Sequence, residues 1–335
     1  MLVLSRSDLE SIVDVDATLA ALRDVLAQQG GPCDTVAPHP LRLGGDDAVH
    51  IPMLGVDARQ GLVTSKLLTD RPSNVALGRP SQVSAIAVYD RETGALRAVL
   101  HGAVPTRVRT AATTAVATDL LANPDADDLG LIGAGALAVE HAVTIDRVRP
   151  LRTIRVWSRR ASSVESFTAR LRQRWPGAGA SGPCPQIIAM PDAEAVVRAS
   201  SVVCTLTPSV EPVVRGEWLS AGQHVNAGGA RPRPDERELD TAAMHAGRVF
   251  VDHEDVVRHE SGDHRLAVHP KGGQLPTIVG DLAGLLRGEV PGRLGADDLT
   301  IYNSVGNGLQ DTAIVGALLA EAQRRGIGTQ VAFDG

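Results

Sequence analysis

Residues 129–138 read Leu129-Gly130-Leu131-Ile132-Gly133-Ala134-Gly135-Ala136-Leu137-Ala138. A short apolar run, a turn with two glycines and then an apolar-rich stretch over 136–148 predict strand, tight turn and helix. The turn fits the pattern G-x-G-x-x-G/A. Its first glycine permits the sharp turn, and its second lets the backbone approach a pyrophosphate. The small third residue lets the helix pack closely on the strand. In a chain rich in Gly and Ala the motif alone is weak, and the strand and helix that flank it make it a dinucleotide-binding prediction. Gly133, Ala134, Gly135, Ala136, Leu137 and Ala138 are the expected contacts.

Downstream, TIRVW (153–157) predicts the second strand. A cofactor with a free ribose 2′-hydroxyl calls for an acidic residue at its end, about 20 residues beyond the motif. The text instead runs Trp157-Ser158-Arg159-Arg160. A hydroxyl and two guanidinium groups suit a 2′-phosphate, so NADP(H) is expected over NAD(H), held by Ser158, Arg159 and Arg160. Strands at 186–190, 201–206, 223–227 and 248–252 alternate with helices at 162–174 and 192–199. Such alternation implies a parallel sheet covered on both faces. Upstream the pattern differs. Short apolar runs broken by turns, such as 61–68, 82–90 and 95–100, predict strands and hairpins over 36–100. A helix is expected over 7–29, with Ser7 and Glu10 as its capping box, and others over 109–122 and 308–325.

The chain has 335 residues, enough for about two domains, and 43% of them are hydrophobic. That composition excludes wholesale disorder. The only rings are 3 Phe, 2 Tyr and 3 Trp, which argues against a nucleic-acid binder built on base stacking. The net charge of -6, with no basic block, argues the same way. No apolar run is long enough for a membrane span, and acidic residues come too early for a signal peptide. Cys33, Cys184 and Cys204 match neither a disulfide framework nor a zinc spacing. A cytoplasmic protein with reduced thiols is expected.

Several segments together are similar to the ornithine cyclodeaminase/mu-crystallin family. They are Arg109-Thr110-Ala111-Ala112, the 129–135 stretch, Thr207-Pro208-Ser209 and Glu211-Pro212-Val213. Gly216-Glu217-Trp218-Leu219, His224-Val225-Asn226-Ala227, Glu238-Leu239-Asp240 and Ser304-Val305-Gly306 follow in the family's order. The resemblance implies an α/β fold, with a Rossmann domain (116–307) inserted in a mixed α+β substrate-binding and dimerisation domain (1–115 plus 308–335). It implies a homodimer and a small amino- or imino-acid substrate whose carboxylate is held by Arg42, Lys66 and Arg109. Lys66 and Arg109 would serve the chemistry. Thr110, Thr205, Thr207 and Asn226 would join the cofactor contacts, with Asp311 near the nicotinamide end. Arg109 opens the helix expected at 109–122, where the dipole opposes its charge, and that asks for an anionic partner.

Three positions depart from the family pattern. The Asp that cyclodeaminases carry soon after the Asn-Ala pair falls on Ala230 or Arg231. Without that carboxylate, deaminating cyclisation loses its general base, and the reductase and dehydrogenase branches, which also lack it, fit better. His101 stands where many relatives have Asp; it can be a substrate ligand or an ordinary strand-end histidine. Asn303 stands where relatives often have Lys or Asp. The expected reaction is reduction of a C=N bond beside a carboxylate, or the reverse oxidation of an amino acid. The alternatives are lyase chemistry from ornithine to proline and ammonia, oxidative cleavage of an N-linked amino-acid conjugate, and a non-enzymatic nucleotide-binding protein.

Overall fold

A computed structural model of the chain describes residues 1–177, 182–229 and 233–333. It divides into two compact units, Met1–Arg109 with Asn307–Gly335, and Thr110–Gly306. The helix Ala103–Leu121 is continuous through the expected boundary at 115/116, so the first division falls earlier in it.

The unit Thr110–Gly306 contains an eight-stranded parallel sheet. In spatial order its strands are Gln186–Ala189, Thr153–Trp157, Asp128–Ile132, Val202–Thr205, His224–Ala227, Thr300–Asn303, Arg248–Val251 and Ile278–Asp281. Strands 202–205, 224–227 and 300–303 are buried at every position, as a parallel sheet covered on both faces requires. The order reverses between strands 128–132 and 202–205. That reversal is the switch point at which open α/β sheets receive ligands. The strand Thr300–Asn303, late in the chain, inserts between 224–227 and 248–251. Its four residues, two of them polar, carry no periodicity that sequence reading could catch.

The other unit is built on a second eight-stranded sheet. Its order is Thr329–Gln330, Leu2–Leu4, Leu96–His101, Gln82–Asp90, Leu62–Asp70, Val49–Asp57 and Cys33–Thr35, with Leu41–Arg42 also on Val49–Asp57. All pairs are antiparallel except 2–4 with 96–101. Along 62–70 burial alternates, with Leu62, Thr64, Lys66, Leu68 and Asp70 on the buried face. That face meets the helix Gly308–Arg325, where the Thr64 and Thr312 hydroxyls lie 2.7 Å apart. A Cβ on Gly55 would come within 2.5 Å of the Gly308 carbonyl oxygen, so glycine is what lets helix and strand touch.

Two expectations about helices need correction. Residues 7–29 form two helices, Arg6–Ile12 and Val15–Leu26. The capping box is Ser5 with Asp8, not Ser7 with Glu10. Asp14 accepts from the Ala17 N–H at 2.7 Å and starts the second helix, an aspartate's usual competition with the helix interior. The helix expected at 109–122 begins at Ala103. Pro105 falls in its first turn, where the missing N–H costs no hydrogen bond. No helix among the described residues is long and apolar enough to cross a membrane.

Candidate active site

In the unit Thr110–Gly306, the Gly133 turn lies at the switch point. Gly133 has φ +114°, and a Cβ there would lie 2.6 Å from the Leu206 carbonyl oxygen. Both facts exclude other residues. Gly135 caps the helix Ala136–Asp146 without a side-chain hydrogen bond, and a Cβ added to it would meet nothing within 4 Å. Gly135 and Ala136 are exposed, Leu137 is half-buried, and Ala134 and Ala138 are buried. An uncapped helix start facing open space is the geometry that accepts a phosphate, so the residues present fit a dinucleotide. The Gly133 N–H donates to the Trp157 carbonyl at 2.9 Å, tying the turn to the end of the second strand. There Ser158 is half-buried, and Arg159 and Arg160 are exposed. Arg170, absent from the sequence reading, donates to the Ala134 carbonyl at 3.2 Å.

The other expected cofactor contacts are occupied inside the unit. Thr205 and Thr207 both donate to the buried Glu238 carboxylate, at 2.8 and 2.7 Å. Thr110 is buried on the helix Ala103–Leu121. Asn226, expected among the cofactor contacts, is buried on the strand His224–Ala227. Its amide donates to Thr118 at 3.1 Å, and its carbonyl pairs with His224 Nε2 at 3.1 Å. Both ends of the buried amide are thus engaged within the unit. Asn303 donates to Asp263 at 3.2 Å and accepts from Ser261 at 2.6 Å, so its role is to hold a buried carboxylate. Ala230 and Arg231 lie outside the described residues.

In the other unit, Lys66 is 1% exposed and its Nζ lies 2.8 Å from Asp311 Oδ2. Arg109 Nε stands 3.8 Å from Asp311 Oδ1, and Arg109 donates to Gln310 Oε1 at 2.9 Å. Asp311 Oδ1 is buried without a hydrogen-bond partner among the described residues, 3.8 Å from Arg109 Nε. Burial brings the Lys66 amine down to about 8; Asp311 resists the fall and Arg109 adds to it. Lys66 can therefore hold or release a proton near neutrality. Because the helix begins at Ala103, Arg109 lies past its first turn, and the dipole reason for an anionic partner lapses. The Asp311 contact takes its place.

The structure brings Lys66, Arg109 and Asp311 together and leaves two other candidates apart. Arg42 pairs with Val49, which pairs with Asp70, so Arg42 shares Lys66's face. It is exposed and roughly 13 Å farther along the strand, at about 3.3 Å per residue. His101 pairs with Ala85, whereas Lys66 pairs with Ile86. Alternation puts His101 on the opposite face. Its Nδ1 takes the Ala103 N–H at 3.3 Å, so it caps the start of the helix Ala103–Leu121 and stands apart from Lys66.

Sequence reading missed Gln310, Asp263 and the part played by Glu238. One available clue was composition. Of the 33 Lys and Arg residues only Lys66 and Lys271 are lysines. A chain that uses arginine almost everywhere yet buries a lysine points to an amine that must titrate.

Fold and site together define a two-unit α/β protein with a doubly wound dinucleotide-binding unit and a buried cation–carboxylate cluster in the other. The chain belongs to the ornithine cyclodeaminase/mu-crystallin family, whose pattern matches residues 46–324. It is 32% identical over 278 residues to the ketimine reductase mu-crystallin of Mus musculus, covering 81% of each chain. It is 28% identical over 251 residues to a Delta(1)-pyrroline-2-carboxylate reductase of Paracoccus denitrificans, covering 75% of this chain and 76% of that one. The structure of the Delta(1)-pyrroline-2-carboxylate reductase of Thermococcus litoralis, in complex with NADH and L-proline, superposes with a TM-score of 0.91. Sequence identity there is 26%, and coverage is 99% of this chain and 100% of that one.

Proposed function

We propose that this protein is an NAD(P)H-dependent oxidoreductase that reduces the C=N bond of an imine or ketimine of a 2-oxo acid, or runs the reverse oxidation of an amino acid. The observation that carries this reading is the buried Lys66–Asp311–Arg109 cluster. Arg109 holds the substrate carboxylate through charge-assisted hydrogen bonds, with Arg42 as a further cation on the same sheet face. Lys66 pairs with the carboxylate and polarises the imine or keto group by holding a proton beside it. The Gly133 turn and the start of the helix Ala136–Asp146 bind the dinucleotide phosphates, with Thr110 as a further cofactor contact. When bound, the reduced nicotinamide supplies the hydride. The relatives named above are a ketimine reductase and two Delta(1)-pyrroline-2-carboxylate reductases, one of them in complex with L-proline, which supports that substrate class.

NADP(H) is the preferred cofactor in this reading, because Ser158, Arg159 and Arg160 stand where NAD-dependent sites place an acid. The protein works as a homodimer. Leu54, Leu67 and Val83, 41%, 55% and 50% exposed, share the outer face of their sheet, and an apolar face of that kind is covered by a second copy. The test is purified protein with NADPH or NADH and a panel of cyclic ketimines, imines of 2-oxo acids with amines, and amino acids. Consumption or formation of reduced cofactor is expected with at least one. No turnover with any of them overturns the reading, and ammonia release from ornithine without net cofactor change replaces it with lyase chemistry.

A further inference from the structure

Glu238 sits under the switch point, buried, and its two oxygens accept four hydrogen bonds from described residues. Oε1 takes the Thr207 N–H at 2.8 Å and the Thr207 hydroxyl at 2.7 Å. Oε2 takes the Thr205 hydroxyl at 2.8 Å and the Gly229 N–H at 2.9 Å. Every one of these donors is neutral. Glu238 is itself held from behind. Asp263 Oδ1 accepts the Glu238 N–H at 2.7 Å and the Leu239 N–H at 2.8 Å. Asp263 Oδ2 accepts from Asn303, which accepts from Ser261. This run of contacts joins the ends of strands 202–205, 224–227 and 300–303.

What Glu238 clasps is the back of the Gly133 turn. The Leu206 N–H donates to the Ile132 carbonyl at 2.8 Å. A Cβ on Gly133 would lie 2.6 Å from the Leu206 carbonyl oxygen, and one on Gly229 would lie 2.5 Å from Leu206 Cα. Backbone is therefore stacked on backbone, with Leu206–Thr207 wedged between the two glycine turns. A displacement of Thr207 is passed to Gly133 with no side chain to absorb it.

We propose that Glu238 is a positioning residue of the dinucleotide site: its carboxylate locks Thr205, Thr207 and Gly229 together and so sets the shape of the Gly133 turn. The inference rests on the dinucleotide reading above. Only a carboxylate can do this, because two of the four donors are backbone N–H groups that cannot rotate. A glutamine in the same place would turn its NH2 against one pair of donors. Burial, with Asp263 adding to it, pushes the Glu238 carboxyl up to about 7, against the pull of the Thr207 and Thr205 donors. Asp263 is pushed up to about 6 by burial, with Arg237 among the groups opposing the rise. The Cys204 thiol, raised to about 12, also faces Glu238 and stays neutral. As pH falls through about 7, Glu238 gains a proton, loses an acceptor site and releases the clasp.

The experiment is fluorescence titration of NADH into the full-length protein, the Glu238→Gln variant and the Thr207→Val variant between about pH 5.5 and 8.5. NADH carries no 2′-phosphate to titrate in that window. The wild type is expected to lose affinity as pH falls through about 7. Glu238→Gln should bind about tenfold more weakly at high pH with a flat pH profile. Thr207→Val should bind about threefold more weakly and stay pH-dependent, with its midpoint moved to higher pH because a donor that holds the carboxylate ionised is lost. A structural role alone would lower the melting temperature without flattening the profile. If Glu238→Gln does not fold, Thr207→Val and the wild-type profile decide. Equal affinity of Glu238→Gln and wild type, or a flat wild-type profile, overturns the inference while leaving the dinucleotide reading standing. A wild type that binds neither NADH nor NADPH overturns that reading, and the inference with it.

Discussion

Glu238 and Asp311 are both fully buried carboxylates, yet their surroundings differ. Asp311 faces the cations Lys66 and Arg109. The Glu238 carboxylate accepts from hydroxyls and backbone N–H groups in two stretches of chain, 205–207 and 229. In the first case the charge is balanced by charge, and its effect is to set a neighbour's proton affinity. In the second it is balanced by dipoles, and its effect is to fix the backbone that supplies them. The first arrangement suits a proton-handling site and the second suits a backbone brace.

The largest effect should come from Lys66→Met. Turnover is expected to fall about 10³-fold, while NADPH affinity in the other unit stays within about twofold. Steady-state kinetics with a dinucleotide titration measures both, and loss of cofactor binding would break the division of labour. Next, Arg159→Ala combined with Arg160→Ala should raise the Kd for NADPH about 30-fold, the loss of charge-assisted contacts to a phosphate, and change that for NADH little. Equal weakening of both would remove the case for NADP(H). Asp311→Asn should move the pH profile of kcat. Asp311 favours the charged amine, so its loss takes the Lys66 amine below about 8 and shifts the limb that reports it to lower pH by about one unit. A shift to higher pH would contradict the pairing. The smallest effect is expected from His101→Ala. The loss of one exposed cap costs about 0.5–1 kcal/mol of stability, read by denaturant melts, and turnover stays within about twofold. A large fall in kcat would return His101 to the site.

Much of the nucleotide unit was legible because its signals are local. Two glycines after an apolar strand state a turn, and 153–157 matches its element to the residue, as does 308–325 in the other unit. The start of the helix Ala103–Leu121 was hidden by Pro105, which reads as a breaker unless its place in the first turn is known. The break at Val13–Asp14 was hidden because the apolar spacing runs on across it. Lys66 and Arg109 could be named, but not their meeting with Asp311, which lies 245 positions from Lys66 along the chain. His101 stood open between substrate ligand and strand-end histidine until strand register placed it on the face opposite Lys66.

The sequence by itself determined where the chain turns, which stretches alternate strand with helix, and which residue types were available to meet an anion. These follow from steric rules and periodicities that act over a few residues. Only the tertiary structure decided which charges are buried, which face of a strand each side chain takes, and which carboxylate meets a cation rather than a row of N–H groups. Those are properties of the groups that folding brings from distant parts of the chain, and burial gives them their energies.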